Sequence, residues 1–354
     1  MSNTAGGTTL LERHNPVLVL FPQEPNVRAR PGAWRPGARG WGDYHPCSVQ
    51  FFLARAHLRS GPPGYDPRDL LRWSWKPLVP TGLDAIRERL RGVEPEQTRG
   101  WELDVAEIPS QNETRAWRVY AALLDRPDDA HPYACVVYGR HVKAPRPALQ
   151  YWYLYLYNDF RNNHEADWEM VTIELSPDGK PLRVGLSSHH GGSRREWPQV
   201  RKVGERPLVH VAIGSHANYF EYRPRGYHVL DLIFRSNAPP FLGWLAKLAQ
   251  HMPRLRRLRD LPPADSEFDA GPDPRHKGVR VSPELVPLPD SINQEPDSGH
   301  WWLRYRGKWG STRPRIAGTV GIDTPWGDEG HDPRWEDPVA WLAHCREDAA
   351  KPVG

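Results

Sequence analysis

Cysteine is scarce in this chain and badly placed for any scaffold role. The three residues, Cys47, Cys135 and Cys345, are far apart, odd in number and in no CxxC spacing, which argues against a zinc ribbon or a disulfide framework and fits a reducing compartment. No apolar run approaches the roughly 18 residues that a membrane span needs. The first residues, MSNTAGGTTLLERHNPVLVLFPQE, lack a basic start and a sustained apolar core, so the expectation is a soluble, cytoplasmic protein without a signal peptide. There is no GxSxG, Walker loop or dinucleotide fingerprint, and serine-nucleophile, nucleotide and nicotinamide chemistry therefore lack support. Neither sign of charge dominates. The 47 Lys and Arg against 43 Asp and Glu leave +4, too small and too scattered a bias to name nucleic acid as a partner.

Turn formers and aromatics are plentiful. With 38 Pro and 30 Gly the chain must turn often, while 16 Trp and 13 Tyr within a 38% hydrophobic fraction supply a sizeable core. Its 354 residues could hold about two average domains, yet β-rich folds reach roughly 250 residues as one unit. The expectation is a mainly β protein: one decorated β-sandwich domain over residues 1–350, with long Pro/Gly-rich loops and a few short peripheral helices.

Along the chain, apolar strands are expected at Pro16–Phe21, Trp101–Ile108, Arg115–Leu124, Tyr133–Val142, Leu182–Ser188, Leu208–Ile213 and Trp301–Tyr305. Helical spacing marks Ser48–Leu58 and Ala85–Leu90, and residues 264–293 read as a Pro- and Asp-rich loop. Residues 239–261 form an insertion whose Phe241–Leu261 segment carries an apolar stripe with Lys247, Arg254, Arg256, Arg257 and Arg259 toward its end. Such a segment either packs on the sheet or lies against an anionic membrane surface.

The chemistry concentrates in Leu149–Leu175. From Tyr151 to Tyr157 bulky residues alternate on both faces, the pattern of a central strand; after a loop holding Asp159 and His164 the alternation resumes from Asp167 to Leu175. Asp167 and Glu169 share the parity of Val171, Ile173 and Leu175. Both carboxylates are therefore expected to leave the apolar face, where they need a proton, an Arg or a cation. His164 can reach the same space. His216, ending the apolar strand Leu208–Ile213, is a further ligand candidate, and His189, His190 and Glu165 are candidates either as ligands or for outer positions around them.

These residues carry a resemblance. NHEADWEMV after YWYLYLYN, HHGG at 189–192 and VAIGSHANYF at 211–220 resemble the vacuolar protein sorting-associated protein 62 family, as do PVLVLFPQE and DYHPCSVQFFL near the start and YRGKWG and DTPWGD near the end. NHEADWE also resembles the GHRHDWE motif of the necrosis- and ethylene-inducing proteins, secreted β-sandwich cytolysins whose motif residues hold a divalent cation. That resemblance implies His164, Asp167 and Glu169 as metal ligands and Asp159 as the upstream Asp, with Ala166 standing where the motif has a His. Oxygen donors with one or two imidazoles suit Mg²⁺, Ca²⁺ or Mn²⁺, while two His with a carboxylate also suit Zn²⁺ or Fe²⁺.

Two functions follow as expectations. In the first, a non-enzymatic cation-binding sandwich recognises a lipid headgroup, a glycan or a protein in a membrane or sorting process. In the second, a metal-dependent hydrolase uses the same cluster, with Glu169, Glu165 or His216 moving the proton.

Overall fold

In this computed structural model the described residues are 10–20, 45–60, 82–99, 101–105, 130–143, 146–158, 164–188, 191–212, 216–221, 279–291, 294, 297–310 and 333–348. The protein is mainly β. Among those residues the strands form three sheets. The central one is an antiparallel meander of β4 (Val136–Val142), β5 (Ala148–Asn158), β6 (His164–Leu175), β7 (Pro181–Ser188) and β8 (Gly191–Glu196). Its edges are closed by β13 (Glu284–Pro287), parallel to β4, and β15 (Arg346–Glu347), parallel to β8.

All eleven residues of β5 are buried. A strand bulky on both faces can lie only between two covering layers. On one face Tyr151, Tyr153 and Tyr155 pack with Leu18, Val209 and Val211 of a second sheet, which runs β11 (Asn218–Tyr219), β10 (Arg206–Val211), β1 (Val17–Leu20) and β12 (Val279–Val281), with β9 (Lys202–Val203) also on β10. On the other face Trp152, Leu154 and Leu156 pack with Phe52, Leu103 and Trp309. These come from α1 (Val49–Leu53) and a third sheet of β2 (His57–Ser60), β3 (Trp101–Asp104) and β14 (Lys308–Trp309).

Several elements differ from the sequence reading. The helix expected over Ser48–Leu58 stops at Leu53: Ser48 caps it by accepting from Phe51 N at 3.0 Å, but His57–Ser60 pairs with β3 instead. Pairing beside a buried sheet outweighs helical spacing there. Trp301–Arg304 is a 3-10 turn, not a strand, since alternation would point the adjacent Trp301 and Trp302 to opposite faces, whereas both belong to one core. Within the expected loop 264–293, β12 and β13 each add to a sheet. The helix expected at Ala85–Leu90 is α2 (Leu83–Arg91), burying Ile86 and Leu90. The C-terminal segment lies against the sheet: α3 (Pro333–Glu336) brings Trp335 to a ring-centroid distance of 5.9 Å from Trp152 and under the Arg140 guanidinium at 3.9 Å. Asp337 caps α4 (Pro338–His344), accepting from Ala340 N at 2.9 Å. Arg195, its side chain wholly buried on β8, ties that end down through Asp348 and also pairs with Glu221 at 3.0 Å.

The segments Arg115–Leu124 and 239–261, with Lys247, Arg254, Arg256, Arg257 and Arg259, lie outside the described residues. No helix among the described residues is long and apolar enough to cross a membrane.

His210 sits in β10 between Val19 and Tyr219 in register, 9% exposed, with no hydrogen-bond partner for either ring nitrogen among the described residues. Burial holds its pKa down to about 4, helped by Arg201 and Arg280 and opposed by Glu221. The unfolded chain therefore binds the proton first, near pH 6.5. This group's contribution to stability is complete above pH 6.5 and is lost as the pH falls toward 4, by about 3 kcal/mol. Urea midpoints should fall over that window in the wild type and change less in His210→Leu.

Candidate functional site

The site lies at the end of the central sheet where β5 ends, β6 begins and β7 ends. From Val171 onward β6 alternates as expected, paired with β5 and β7. At Ala166 the pattern breaks. Its φ of 51 is left-handed, and it separates two carboxylates that end on opposite sides of the sheet. Glu165 turns toward the third sheet, where its Oε2 accepts from Val105 N at 2.8 Å, and Gly310, at φ 75, lets the turn after β14 press against the Glu165 backbone. Glu165 is thus not brought together with Asp167.

Asp167 and Glu169 face the second sheet, 5% and 3% exposed. There the hairpin between β10 and β11 delivers His216, fully buried and also left-handed at φ 58. Its Nδ1 lies 3.0 Å from Asp167 Oδ2, and its ring stacks on Tyr155 with centroids 3.9 Å apart and planes 5° from parallel. A carboxylate partner places the proton on Nδ1. Among the described residues Ala166 and His216 are the non-glycine positions with positive φ, and one adjoins Asp167 in sequence while the other bonds it. Strain gathered around a single carboxylate is a mark of a functional position.

Glu169 is held differently. Its Oε2 accepts from Ser187 Oγ, which itself accepts from Met170 N at 2.7 Å. Asn218 Nδ2 donates to Met170 O at 3.3 Å and to Ser187 Oγ at 3.4 Å. The β6–β7 ladder is in register only as far as Val171 and Leu186, so these two side chains take over Met170's backbone groups where the ladder ends. Neither Ser187 nor Asn218 stood out in the sequence. Their task is to fill a gap in a ladder, and alternation carries no signal for that.

Asp159, His189, His190 and the His164 side chain lie outside the described residues; the His164 backbone opens β6. Among the described residues no group of three or more His, Cys, Asp or Glu is arranged to hold a metal. The donor chemistry nevertheless fits a hard cation. Asp167 offers a second carboxylate oxygen with no partner among the described residues, Glu169 faces the same side two positions on, and the His216 Nδ1 contact orients the Asp167 carboxylate.

No family model matches the chain, and no curated protein matches it, so the resemblance to the vacuolar protein sorting-associated protein 62 family rests on the motifs quoted above. Among solved structures it is similar to necrosis- and ethylene-inducing protein 2 from the causal agent of cocoa's witches' broom disease. That match has 18% identity and a TM-score of 0.23, over 27% of this chain and 49% of that one. A structure described as a toxin fold for microbial attack and plant defence matches at 15% identity and a TM-score of 0.22, over 28% of this chain and 51% of that one. NLPPya in complex with mannosamine matches at 19% and 0.22, over 27% and 46%. The chain spans about half the length of these proteins or less, and overlap so partial does not define a shared fold.

Ala166→Gly should relieve the left-handed backbone and hold or raise stability by up to about 1 kcal/mol, whereas Ala166→Val, β-branched and fully buried there, should lower it. Urea unfolding of the two variants beside the wild type checks this.

Proposed function

We propose that this protein is a non-enzymatic recognition module in which Asp167 and Glu169 hold a divalent cation, and that a glycan or anionic lipid headgroup binds through it. The observation that carries the reading is the open oxygen of Asp167. One oxygen is fixed by His216 at 3.0 Å while the other has no partner among the described residues, in a place where a second buried carboxylate faces the same way. Two such anions at an apolar face favour a cation strongly. The oxygen-rich donor set suits Mg²⁺, Ca²⁺ or Mn²⁺ better than Zn²⁺, and by motif His164 and Asp159 belong to the same set. When bound, such an ion supplies coordination positions for hydroxyl or phosphate oxygens. His216 does not compete for it through Nδ1, which is committed to Asp167; it orients that carboxylate instead. The motif resemblance to cation-holding proteins supports the same reading.

One observation favours a second reading. A buried imidazole oriented by a carboxylate at Nδ1 is also the arrangement of a general base, and a metal-dependent hydrolase would use His216 in that role.

Titration calorimetry with Mn²⁺, Ca²⁺ and Mg²⁺ tests the first reading. A bound cation at about 100 times its Kd should raise unfolding stability by about 2.7 kcal/mol, and Asp167→Asn and Glu169→Gln should abolish that gain. Arrays of glycans and vesicles containing phosphatidylserine, each with and without cation, then identify the ligand class. Cation-dependent turnover of an ester substrate that disappears in His216→Ala would establish the hydrolase instead.

A further inference from the structure

We propose that Ser187 and Asn218 are positioning residues of this site, joining its two carboxylates into one unit across two sheets; the inference rests on the cation reading above. A serine hydroxyl has one proton to donate and two lone pairs. Ser187 Oγ receives Met170 N–H at 2.7 Å and the Asn218 amide at 3.4 Å, which fills both lone pairs. Its proton is left for Glu169 Oε2. Glu169 Oε2 is therefore an acceptor toward Ser187, which links it to a backbone N–H of its own strand and to a side chain from the second sheet.

The Asn218 amide orientation follows from its partners. Met170 O can only accept, so the NH₂ end must face it, and the same NH₂ reaches Ser187. Asn218 is fully buried and lies two residues beyond His216 in the same hairpin, whose turn is closed by His216 N to Ala212 O at 3.2 Å and Ala212 N to Ala217 O at 2.9 Å. The hairpin thus touches β6 twice. It holds Asp167 through His216 and Glu169 through Asn218 and Ser187. A circuit of this kind ties the orientation of the two carboxylates together, and removing its hydroxyl takes away one restraint on Glu169 without removing any candidate ligand from the chain.

Mn²⁺ is the probe, its Kd measured by electron paramagnetic resonance on the full chain. Ser187→Ala and Asn218→Ala should each weaken Mn²⁺ binding about 10- to 100-fold, the usual effect of losing an outer hydrogen bond to a ligating group. Ser187→Thr, which keeps the hydroxyl, should bind within about threefold of the wild type, a rescue that a packing role alone does not give. Thr172→Val removes a buried hydroxyl from β6, the strand that carries Asp167 and Glu169, and serves as the stability control, with Kd unchanged. If Ser187→Ala does not fold, Asn218→Ala carries the comparison. Wild-type affinity in Ser187→Ala or Asn218→Ala, alongside lost binding in Asp167→Asn, would overturn the positioning role and leave the cation reading standing. Absence of Mn²⁺ binding in the wild type would remove both.

Discussion

The pairing of β5 with β6 is the constraint on which the rest depends. These long strands are buried on both faces, so each face needs its own covering layer and the chain must supply two. The bulky alternation of Tyr with Trp and Leu in β5 is satisfied only in that arrangement. The second sheet, the third sheet and the terminal helices are consequences of having two apolar faces to cover. The candidate site sits where this demand ends, at the mouth of the β5–β6 hairpin.

There a single left-handed residue does what the alternation cannot. With regular parity Glu165, Asp167 and Glu169 would all face the second sheet. Ala166 breaks the sequence after Glu165, which goes to the backbone of Val105, and two carboxylates remain with His216. A smaller group of anions results, bounded by an aromatic ring on one side and a hydroxyl relay on the other. Both left-handed residues carry a backbone cost that the packing around them must offset.

Much of this was legible from residue order. The parity of Asp167 and Glu169 with Val171, Ile173 and Leu175, and the position of His216 just beyond a buried strand, are local patterns, and the structure places all three on one side of the sheet. Where local pattern and long-range pairing compete, the reading failed. His57 and Leu58 end a helically spaced run but pair, with Arg59 and Ser60, beside Trp101–Asp104, and Trp301–Arg304, aromatic enough to read as a strand, turns as a 3-10 segment that puts its indoles into one cluster. The strands at Val279–Val281 and Glu284–Pro287 are short edge additions whose stability comes from the partner strand, so their own residues announce little. Ser187 and Asn218 were invisible for a related reason: each answers to the backbone of Met170, far away in sequence.

The edges of the central sheet have a consequence for how the chain is made. Both are closed by late segments, β13 against β4 and β15 against β8, and each joins in parallel from more than a hundred residues downstream. During synthesis the meander from β4 to β8 can form early, but until the last stretch emerges it presents two open rows of backbone donors and acceptors beside apolar strands. Long-range parallel closure is also slow. The nascent protein therefore passes through a period in which the edges of its central sheet are adhesive, and the pairing of Arg346–Glu347 with β8 ends that exposure on one side as Glu284–Pro287 does on the other.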